Sequence, residues 1–280
     1  MEEEKKDAGA WPVEPTQLSG ASRFRFSCHR ELACWCTCCH NMDVILAPND
    51  ILRLKKRLGI TSSEFLQQYT TPKMHEESSL PLVILKSAEV GERACPFLGE
   101  EGCTVYEDRP SICRYYPIGL ASLMAEKGGE KGIGVERFYF RIREEYCLGH
   151  GEEQEWTVDG WRANQGADRD DEVNGDWQSA FLSRSLPGEV REDSGRQALF
   201  HMVCYDLDTF RRFVLESAFL ENFEVDPETV AAIGRDDEEL LRFALRYMKY
   251  FMMMEETMKP RPGAVDSWRK KNRDEENGQV

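Results

Sequence analysis

The chain has 280 residues, of which 41% are hydrophobic and 31% are charged. This length suits one large domain or a domain with an appended subdomain, and the apolar share is sufficient to bury a core without covalent cross-links. A formal net charge of −15 opposes binding to a phosphate backbone, so we expect no nucleic-acid partner.

The first segment that predicts regular structure begins at residue 23. Residues 1–22 are polar and include Gly, Pro and Ser, which predicts a mobile N-terminus. In RFRFSC (23–28) aromatic and polar side chains alternate, and this period of two predicts a short strand that leads into a group of cysteines.

A helical hairpin is predicted directly after the first cysteines. Residues 47–60 (APNDILRLKKRLGI) place aliphatic side chains on one helical face, with Asn49 or Asp50 as the expected N-cap and Gly59 as the stop signal. The following TSSE (61–64) is a capping box that opens a second, short helix.

Three short strands are predicted among the later cysteines. LPLVILK (80–86) is rich in β-branched residues, CTVY (103–106) is a shorter run, and RFYFRIR (137–143) alternates with period two. The glycine-rich EKGGEKGIG (126–134) lacks the preceding strand and following helix that a nucleotide-binding loop requires. We therefore expect a solvent loop between strands there.

The last part of the chain is predicted to be helical. Residues 152–176 carry nine acidic and two basic side chains and are expected to form short helices over the surface. Residues 206–223 and 236–258 repeat apolar side chains with a period of 3.6, which predicts amphipathic helices. Pro260 is expected to stop the last helix, ahead of a polar tail.

Together these elements predict an α+β fold, in which a loop-rich cysteine-cluster domain with short strands and a helical hairpin precedes a mainly α-helical C-terminal part. The predicted organisation is a flexible N-terminus at 1–22, a cysteine-cluster domain at 23–150, a mainly helical region at 151–258 and a polar tail at 259–280.

The apolar segments predict a location. The opening MEEEKKDAGAWP has no apolar region of the kind found in secretory signals. The longest apolar stretches, LPLVIL (80–85) and YFMMM (250–254), are too short to cross a bilayer. We expect a cytoplasmic protein with no membrane partner, in a compartment where clustered cysteines are more often ligands or redox groups than disulfides.

The cysteines carry most of the functional information. Nine of the ten lie between residues 28 and 147, and four fall within ELACWCTCCH (31–40). The full set is Cys28, Cys34, Cys36, Cys38, Cys39, Cys95, Cys103, Cys113, Cys147 and Cys204. This skew divides the chain into a cysteine-rich first half and an ordinary second half.

A redox pair is one interpretation of the cluster. Cys36 and Cys39 form a W-C-x-x-C string, but the preceding strand and following long helix of thioredoxin-like proteins are not evident. A disulfide framework is disfavoured because adjacent cysteines such as Cys38 and Cys39 rarely reach disulfide geometry with each other. Cys204 stands apart in HMVCYDL and is expected to be a buried apolar residue.

Metal binding accounts for most of the cysteines. Thiolate is a soft ligand that favours Zn²⁺, Cu(I) or iron–sulfur clusters, and the spacing alone identifies none of them. A tight turn bearing several cysteines offers two or three sulfurs to one ion. Further sulfurs are available from segments next to Pro or Gly, or at the ends of strand-like pieces, namely at Cys95, Cys103, Cys113 and Cys147.

Basic and imidazole side chains lie near these cysteines in sequence. Arg109 and Arg114 are expected to offset the negative charge of several thiolates. His29 and His40 flank the first cluster. Borderline metals accept imidazole as a ligand, whereas a lone histidine is more often a surface or hydrogen-bonding group.

The order of the motifs resembles a known family. The segments FSCHRELACWCTCC, LAPNDILRLKKRLGITSSEFLQQYT, CPFLGEEGCTVYEDRPSICRYYPIG and YCLGH are together similar to the YkgJ-like cysteine-cluster proteins, which are described as carrying a zinc- or iron-chelating domain. The same motifs are similar to part of the flagellin lysine N-methylase FliB, which is linked to an iron–sulfur cluster. The resemblance covers about residues 24–150.

The resemblance implies a set of eight metal ligands. The family's C-x₂-C-x₂-C-C signature is spaced more widely here, with five residues between Cys28 and Cys34 and three between Cys34 and Cys38. In this longer variant Cys36 is an additional cysteine. The implied ligands are Cys28, Cys34, Cys38, Cys39, Cys95, Cys103, Cys113 and Cys147.

Three functional hypotheses follow, and they leave open whether the protein is an enzyme. The first is a metal-binding protein that coordinates an iron–sulfur cluster or Zn²⁺ through these cysteines, with a redox, sensing or structural role. The second, implied by the resemblance alone, is an iron–sulfur enzyme or a protein lysine N-methylase similar to FliB. The third is a zinc-stabilised interaction module, whose protein partner the sequence does not identify.

Overall fold

The structure is a computed structural model that describes residues 13–14, 16–87, 93–126, 133–182 and 193–263. The chain divides into two compact units, each assembled from two stretches of sequence. Unit 1 comprises Met1–Ile45 and Leu85–Glu172, and unit 2 comprises Leu46–Ile84 and Val173–Val280. All nine cysteines between 28 and 147 belong to unit 1, because the interrupting segment 46–84 contains none.

Nine short strands and ten α-helices are present in the described residues. The strands are β1 (Arg23–Arg25), β2 (Ile45–Leu46), β3 (Thr70–Met74), β4 (Pro81–Leu85), β5 (Leu98–Gly99), β6 (Gly102–Cys103), β7 (Ile118–Glu126), β8 (Ile133–Arg141) and β9 (Glu155–Thr157). The helices are α1 (Pro48–Leu58), α2 (Ser62–Tyr69), α3 (Ser111–Tyr115), α4 (Val158–Gln165), α5 (Ala167–Leu182), α6 (Ser194–Tyr205), α7 (Leu207–Glu216), α8 (Phe219–Asn222), α9 (Pro227–Arg235) and α10 (Asp237–Phe251).

Antiparallel pairs organise unit 1. The nine-residue strands β7 and β8 form a hairpin, β1 pairs with β9, and β5 pairs with β6. Most of the glycine-rich segment expected to be a solvent loop, residues 127–132, lies outside the described residues. The backbone of Leu18 joins β8, since its N–H donates to the carbonyl of Tyr139 at 2.7 Å.

Aromatic side chains form the core of unit 1. The strand predicted at 23–28 is confirmed only over Arg23–Arg25, as β1, where Phe24 is buried between two exposed arginines. Phe26 follows it and packs edge-on against Trp161, with ring centroids 5.5 Å apart, and against Tyr116 at 5.7 Å. Tyr116 and Cys147 pack against this buried core, so the core directly supports one of the candidate ligands. Its buried members are Phe24, Phe26, Tyr115, Ile118, Val158, Trp161 and Ala167.

The predicted helical hairpin is confirmed as α1 and α2 in unit 2. Gly59, with φ 68°, ends α1 in the left-handed conformation that glycine adopts without a Cβ clash. The predicted capping box is present at α2, where the Thr61 side chain accepts from the Glu64 N–H and Glu64 accepts from the Thr61 N–H. Strand β4 lies between β2 and β3 in a three-stranded sheet, most of whose residues belong to the same unit.

The predicted N-cap of α1 was wrong. The cap is Ala47, and Asn49 and Asp50 are already inside the helix. The helix begins earlier in the sequence, at Pro48, because proline at the first helical position has a suitable φ and lacks the N–H that would be unpaired there. The Asp50 carboxylate instead accepts from the Ala47 N–H at 3.0 Å.

A buried lysine joins the hairpin to the C-terminal helices of unit 2. The side chain of Lys55 is 6% exposed and forms ion pairs with Asp208 at 2.9 Å and with Asp237 at 3.0 Å. Asp208 also accepts from the N–H of Ser62 at 2.6 Å. Cys204 is fully buried in α6, as predicted. Unit 2 is therefore held by both apolar packing and a charged network.

The strand predictions had mixed outcomes. The strands predicted at 80–86 and 137–143 are confirmed as β4 and β8. The strand predicted at 103–106 was wrong, because only Cys103 is in a strand and the chain turns at once into a 3-10 helix over Tyr106–Asp108. The strand β3 was not predicted, since its sequence TTPKM contains Pro72 and little apolar character.

The helix predictions were right in type and wrong in extent. Residues 206–223 form two helices, because Ser217 is extended with ψ −174° and separates α7 from α8. The last helix ends at Phe251 and not at Pro260, and Met253 two residues later has φ 54°. Residues 152–176 are helical in α4 and in part of α5, which has 16 residues and is longer than expected.

The predicted fold class is confirmed: helices are mixed with short antiparallel strands, and the C-terminal part is helical. The predicted domain boundaries at residues 22, 150 and 258 stay predictions. Within the part of the chain that the structure describes, every helix is too short or too polar to span a bilayer.

Candidate metal centre

Three stretches of unit 1 carry most of the cysteines. The first runs from Cys28 to the 3-10 turn Thr37–Cys39, the second contains Cys95 and the β5–β6 hairpin, and the third ends in the 3-10 turn Leu148–Gly151, whose N-cap is Cys147. Cys113 lies separately in α3. All ten cysteines are free thiols.

Backbone and ring contacts align the first stretch with the second. The N–H of Cys95 donates to the carbonyl of Cys39 at 2.8 Å. The indole of Trp35 packs on Gly102, where a Cβ atom would lie 3.1 Å from the ring and where φ is 120°. Glycine is needed at this position both for the backbone conformation and for the close approach of the indole. The cysteines on either side of Trp35 are thereby held against the β5–β6 hairpin.

A second set of contacts aligns the first stretch with the third. The N–H of Ser27 donates to the carbonyl of Gly149 at 3.1 Å, and the N–H of Leu148 donates to the sulfur of Cys34 at 3.3 Å. Gly149 is buried, and a Cβ atom there would lie 2.5 Å from the Ser27 carbonyl oxygen. The turn after Cys147 therefore reaches the start of the first stretch only because residue 149 has no side chain.

Backbone amides are directed at the sulfurs of the second and third stretches. In each case the amide two residues after the cysteine donates to its sulfur: Phe97 to Cys95, Val105 to Cys103 and Gly149 to Cys147. Burial raises the pKa of each of these three thiols, and the amide partly opposes that rise. Such amides support a thiolate once it has formed, as they do around metal-bound cysteines.

The charge of Cys38 affects the pKa of most of the other cysteines in this group. The Cys39 thiol donates to the Cys38 sulfur, which lowers the pKa of Cys38 to about 7 and raises the pKa of Cys39. Partial burial of the thiol and then the charge of Cys38 raise the pKa of Cys28 to about 12, although that residue as a whole is exposed. The cysteines whose pKa is affected by the charge of Cys38 are Cys28, Cys36, Cys39, Cys95 and Cys103, together with Cys147.

Positive charge reaches only part of this group. Arg30 acts on Cys36 and Arg109 acts on Cys103, the latter as predicted. Negative charge raises the pKa of the other cysteines: Cys38 and Cys147 act on Cys28, while Cys34 and Cys38 act on Cys147, and Glu144 opposes ionisation of Cys38. Arg114 donates to the carbonyls of Arg109 and Gln165 at 3.0 and 2.9 Å and so holds the loop before α3.

The two flanking histidines are placed differently. Nε2 of His29 is 3.3 Å from a carboxylate oxygen of Glu152, and its Nδ1 is 3.7 Å from Glu31. Both ring nitrogens therefore lie beside carboxylates. The backbone of His40 forms a bridge with Ala94, which continues the alignment of the first two stretches.

The donor chemistry of this cluster fits a thiophilic metal. Sulfurs from three stretches converge, backbone amides are directed at several of them, and their mutual repulsion is the kind that a bound cation relieves. Across the described residues, no group of three or more His, Cys, Asp or Glu side chains already stands at the positions needed to hold one ion.

Three residues near Cys147 were missed at the level of sequence. Buried polar atoms of Tyr116, Glu144 and His150 have no hydrogen-bond partner of good geometry in the described residues. The only sequence signal was that Tyr116 and His150 lie in the two motifs that contain Cys113 and Cys147, and that Glu144 lies just before the second motif. A cysteine count cannot detect an oxygen or nitrogen atom that the fold brings beside the sulfurs.

The comparison with known families is consistent with this concentration of cysteines. Residues 27–148 match the family CxxCxxCC, described as "Putative zinc- or iron-chelating domain". The match supports zinc or iron chelation through the cysteines of this segment. No curated protein and no solved structure matches the chain.

Proposed function

We propose that the cysteines of unit 1 bind zinc or iron, the latter as an ion or as an iron–sulfur cluster. One observation supports this most strongly: the hydrogen bonds from the Cys95 N–H to the Cys39 carbonyl and from the Leu148 N–H to the Cys34 sulfur bring the three cysteine-bearing stretches together. Thiolates that converge in this way are stabilised together by a cation. The proposed ligands are Cys28, Cys34, Cys38, Cys39, Cys95, Cys103, Cys113 and Cys147.

The proposal is tested on the full chain purified without oxygen. We expect stoichiometric zinc or iron, and an iron–sulfur cluster would add visible absorption and a paramagnetic signal after reduction. The C38S variant should lose metal, whereas C204S, which changes a fully buried thiol of unit 2, should keep the wild-type content. A full chain that holds neither metal at stoichiometric level overturns the proposal.

The eighth metal ligand is either Cys113 or Cys36. Cys113 enters through the family resemblance, whereas Cys36 interacts with Cys38 and Cys103 and has a left-handed φ of 65° at the start of the 3-10 turn. The C36S and C113S variants decide between them. Metal lost only in C113S keeps the set of eight, and metal lost only in C36S replaces Cys113 by Cys36.

The finer assignment is an iron–sulfur protein with a redox role. It is supported by the resemblance to YkgJ-like proteins and to FliB, and an enzyme such as a lysine N-methylase is the alternative. A reversible reduction wave supports the redox role, and calorimetric binding of S-adenosylmethionine supports the methylase. If the protein contains zinc and shows neither behaviour, a zinc-stabilised interaction module becomes the function to pursue.

We further propose a cytoplasmic location, with no nucleic-acid or membrane partner. Ten free thiols suit a reducing compartment, and a net charge of −15 disfavours polyanions. Cell fractionation checks the location. Recovery of the protein in a membrane or nucleic-acid fraction would contradict the proposal.

A further inference from the structure

Three buried polar atoms near Cys147 indicate that another group binds there. They are the hydroxyl oxygen of Tyr116, Oε2 of Glu144 and Nε2 of His150. The Tyr116 hydroxyl interacts with Cys147 and Glu144, but none of the three atoms has a partner within ordinary hydrogen-bond distance and angle limits in the described residues. Leaving such a group buried and unpaired costs about 1–3 kcal/mol. Three of them near one candidate ligand indicate that a group which binds there completes the site.

The backbone brings these atoms to the same end of unit 1. The N–H of Cys147 donates to the carbonyl of Glu144 at 3.0 Å, so one tight turn carries both side chains. The rings of Tyr116 and His150 have centroids 6.2 Å apart, and both contact Phe26. Tyr116 and Cys147 also pack on the same aromatic core.

The Glu144 carboxylate interacts with two phenols and with one cysteine. It interacts with the hydroxyls of Tyr116 and Tyr146, and its charge acts on Cys38. Tyr116 and Tyr146 in turn interact with Cys147. A carboxylate placed against thiolates is electrostatically unfavourable unless a cation lies between them.

His150 does not supply a ligand atom in this arrangement. The guanidinium of Arg141 is 3.1 Å from its Nδ1 and can only donate, so Nδ1 is the acceptor of the ring. The neutral ring then carries its hydrogen on Nε2, and that nitrogen has no lone pair in the ring plane for a metal. Tyr116, as a neutral phenol, is a donor. The remaining atom is the Glu144 oxygen.

We propose that the carboxylate of Glu144 is an oxygen ligand of the metal that Cys38 and Cys147 bind. This inference rests on the proposed function and extends it from an all-sulfur site to a mixed sulfur and oxygen site. Zinc accepts Glu oxygen together with Cys sulfur, and iron also accepts carboxylate, whereas Cu(I) prefers sulfur alone. The hydroxyls of Tyr116 and Tyr146 would orient the carboxylate.

X-ray absorption on the zinc-loaded full chain tests the proposal. We expect an oxygen shell at about 2.0–2.2 Å beside sulfur at about 2.3 Å. In E144Q the oxygen shell should be lost, and zinc affinity, measured by competition with a chromophoric chelator, should fall by roughly 10-fold or more. The matched control is E145Q, which changes the neighbouring exposed glutamate and should bind zinc within about twofold of wild type.

The outcomes separate the two proposals. A purely sulfur shell in the wild-type chain overturns the role of Glu144 and leaves thiolate binding intact, as does an oxygen shell that persists in E144Q. A wild-type chain that binds no zinc and no iron overturns both. Because the wild-type spectrum decides by itself, a failure of E144Q to fold does not remove the test.

Discussion

A methyl group at residue 149 perturbs the contact that joins the first and third cysteine stretches. In the Gly149→Ala variant the new Cβ would lie 2.5 Å from the Ser27 carbonyl oxygen and 2.8 Å from the ring of Phe26. Neither neighbour can easily withdraw, because one is backbone and the other is a buried core side chain. The turn after Cys147 must therefore move away from Ser27.

The size of the movement sets the expected effect. Reaching ordinary contact at 3.4 Å requires a shift of roughly 0.9 Å, and overpacking of this kind costs about 1–3 kcal/mol. Replacing glycine by alanine regains about 0.4–1 kcal/mol through the unfolded chain, so we expect a net loss of about 1–2 kcal/mol. Ligand distances tolerate only about 0.2 Å, and zinc affinity should fall by about 10-fold or more.

Gly151, at the end of the same 3-10 turn, provides the control. A Cβ atom at Gly151 would meet nothing within 4 Å, so G151A should be neutral or slightly stabilising. Urea unfolding gives the stability of both variants, and chelator competition gives their zinc affinity. If G149A unfolds and binds zinc like G151A, the close approach of the turn to Ser27 is refuted, together with the alignment derived from it.

The remaining predictions concern the charged network of unit 2. Lys55→Met should lower the unfolding free energy by about 3 kcal/mol, which is the low end for breaking a buried ion pair because the side chains of Asp208 and Asp237 are 24% and 17% exposed. The exposed control Lys56→Met should change the unfolding free energy by less than about 0.5 kcal/mol. Equal losses in the two variants would contradict a role for the ion pairs. Burial opposes ionisation of both aspartates, but hydrogen bonds from Ser62 to Asp208 and the cations around Asp237 lower both pKa values below the ordinary 3.8. A carboxyl group whose pKa is lowered by folding contributes stability that is complete above its ordinary pKa and is lost as pH falls through the lowered pKa. The unfolding free energy measured with urea should therefore decline below about pH 4, and this decline should be smaller in D208N. An identical pH dependence in D208N would refute this assignment.

The sequence predicted what depends on local chemistry. The capping box at Thr61 and the stop at Gly59 were correct, because a few neighbouring residues determine both. The N-cap of α1 was wrong by a few residues, since Pro48 and its fixed φ outweigh the polar side chains that follow. Local patterns therefore located the helices and two of their ends, but not the start of α1.

The sequence predicted the cysteine sulfurs of the candidate site but not the carboxylate oxygen of Glu144. Cysteine is rare enough for a cluster to stand out, so the density around Cys38 was visible without any structure. Glu144 is one of many acidic residues, and what distinguishes it is burial beside Tyr116. That placement depends on the packing of Phe26 and the turn at Cys147, which are contacts between residues far apart in sequence.

The chain order of the cysteines bears on why this unit would depend on a metal. Cys39 and Cys95 are 56 positions apart, and the intervening hairpin belongs to unit 2, so their hydrogen bond closes a long loop. Closing a loop of this length costs about 4 kcal/mol of chain entropy. The backbone hydrogen bonds from Cys95 to Cys39, from Asn41 to Arg93 and from Leu85 to Val44, at about 1 kcal/mol each, offset most but not all of it. Metal–thiolate bonds between the stretches would supply the difference, and their free energy would then count as folding free energy of unit 1. Under that reasoning most of the cysteines whose raised pKa values keep them protonated without a cation are the same groups that stabilise the loop once a cation is bound.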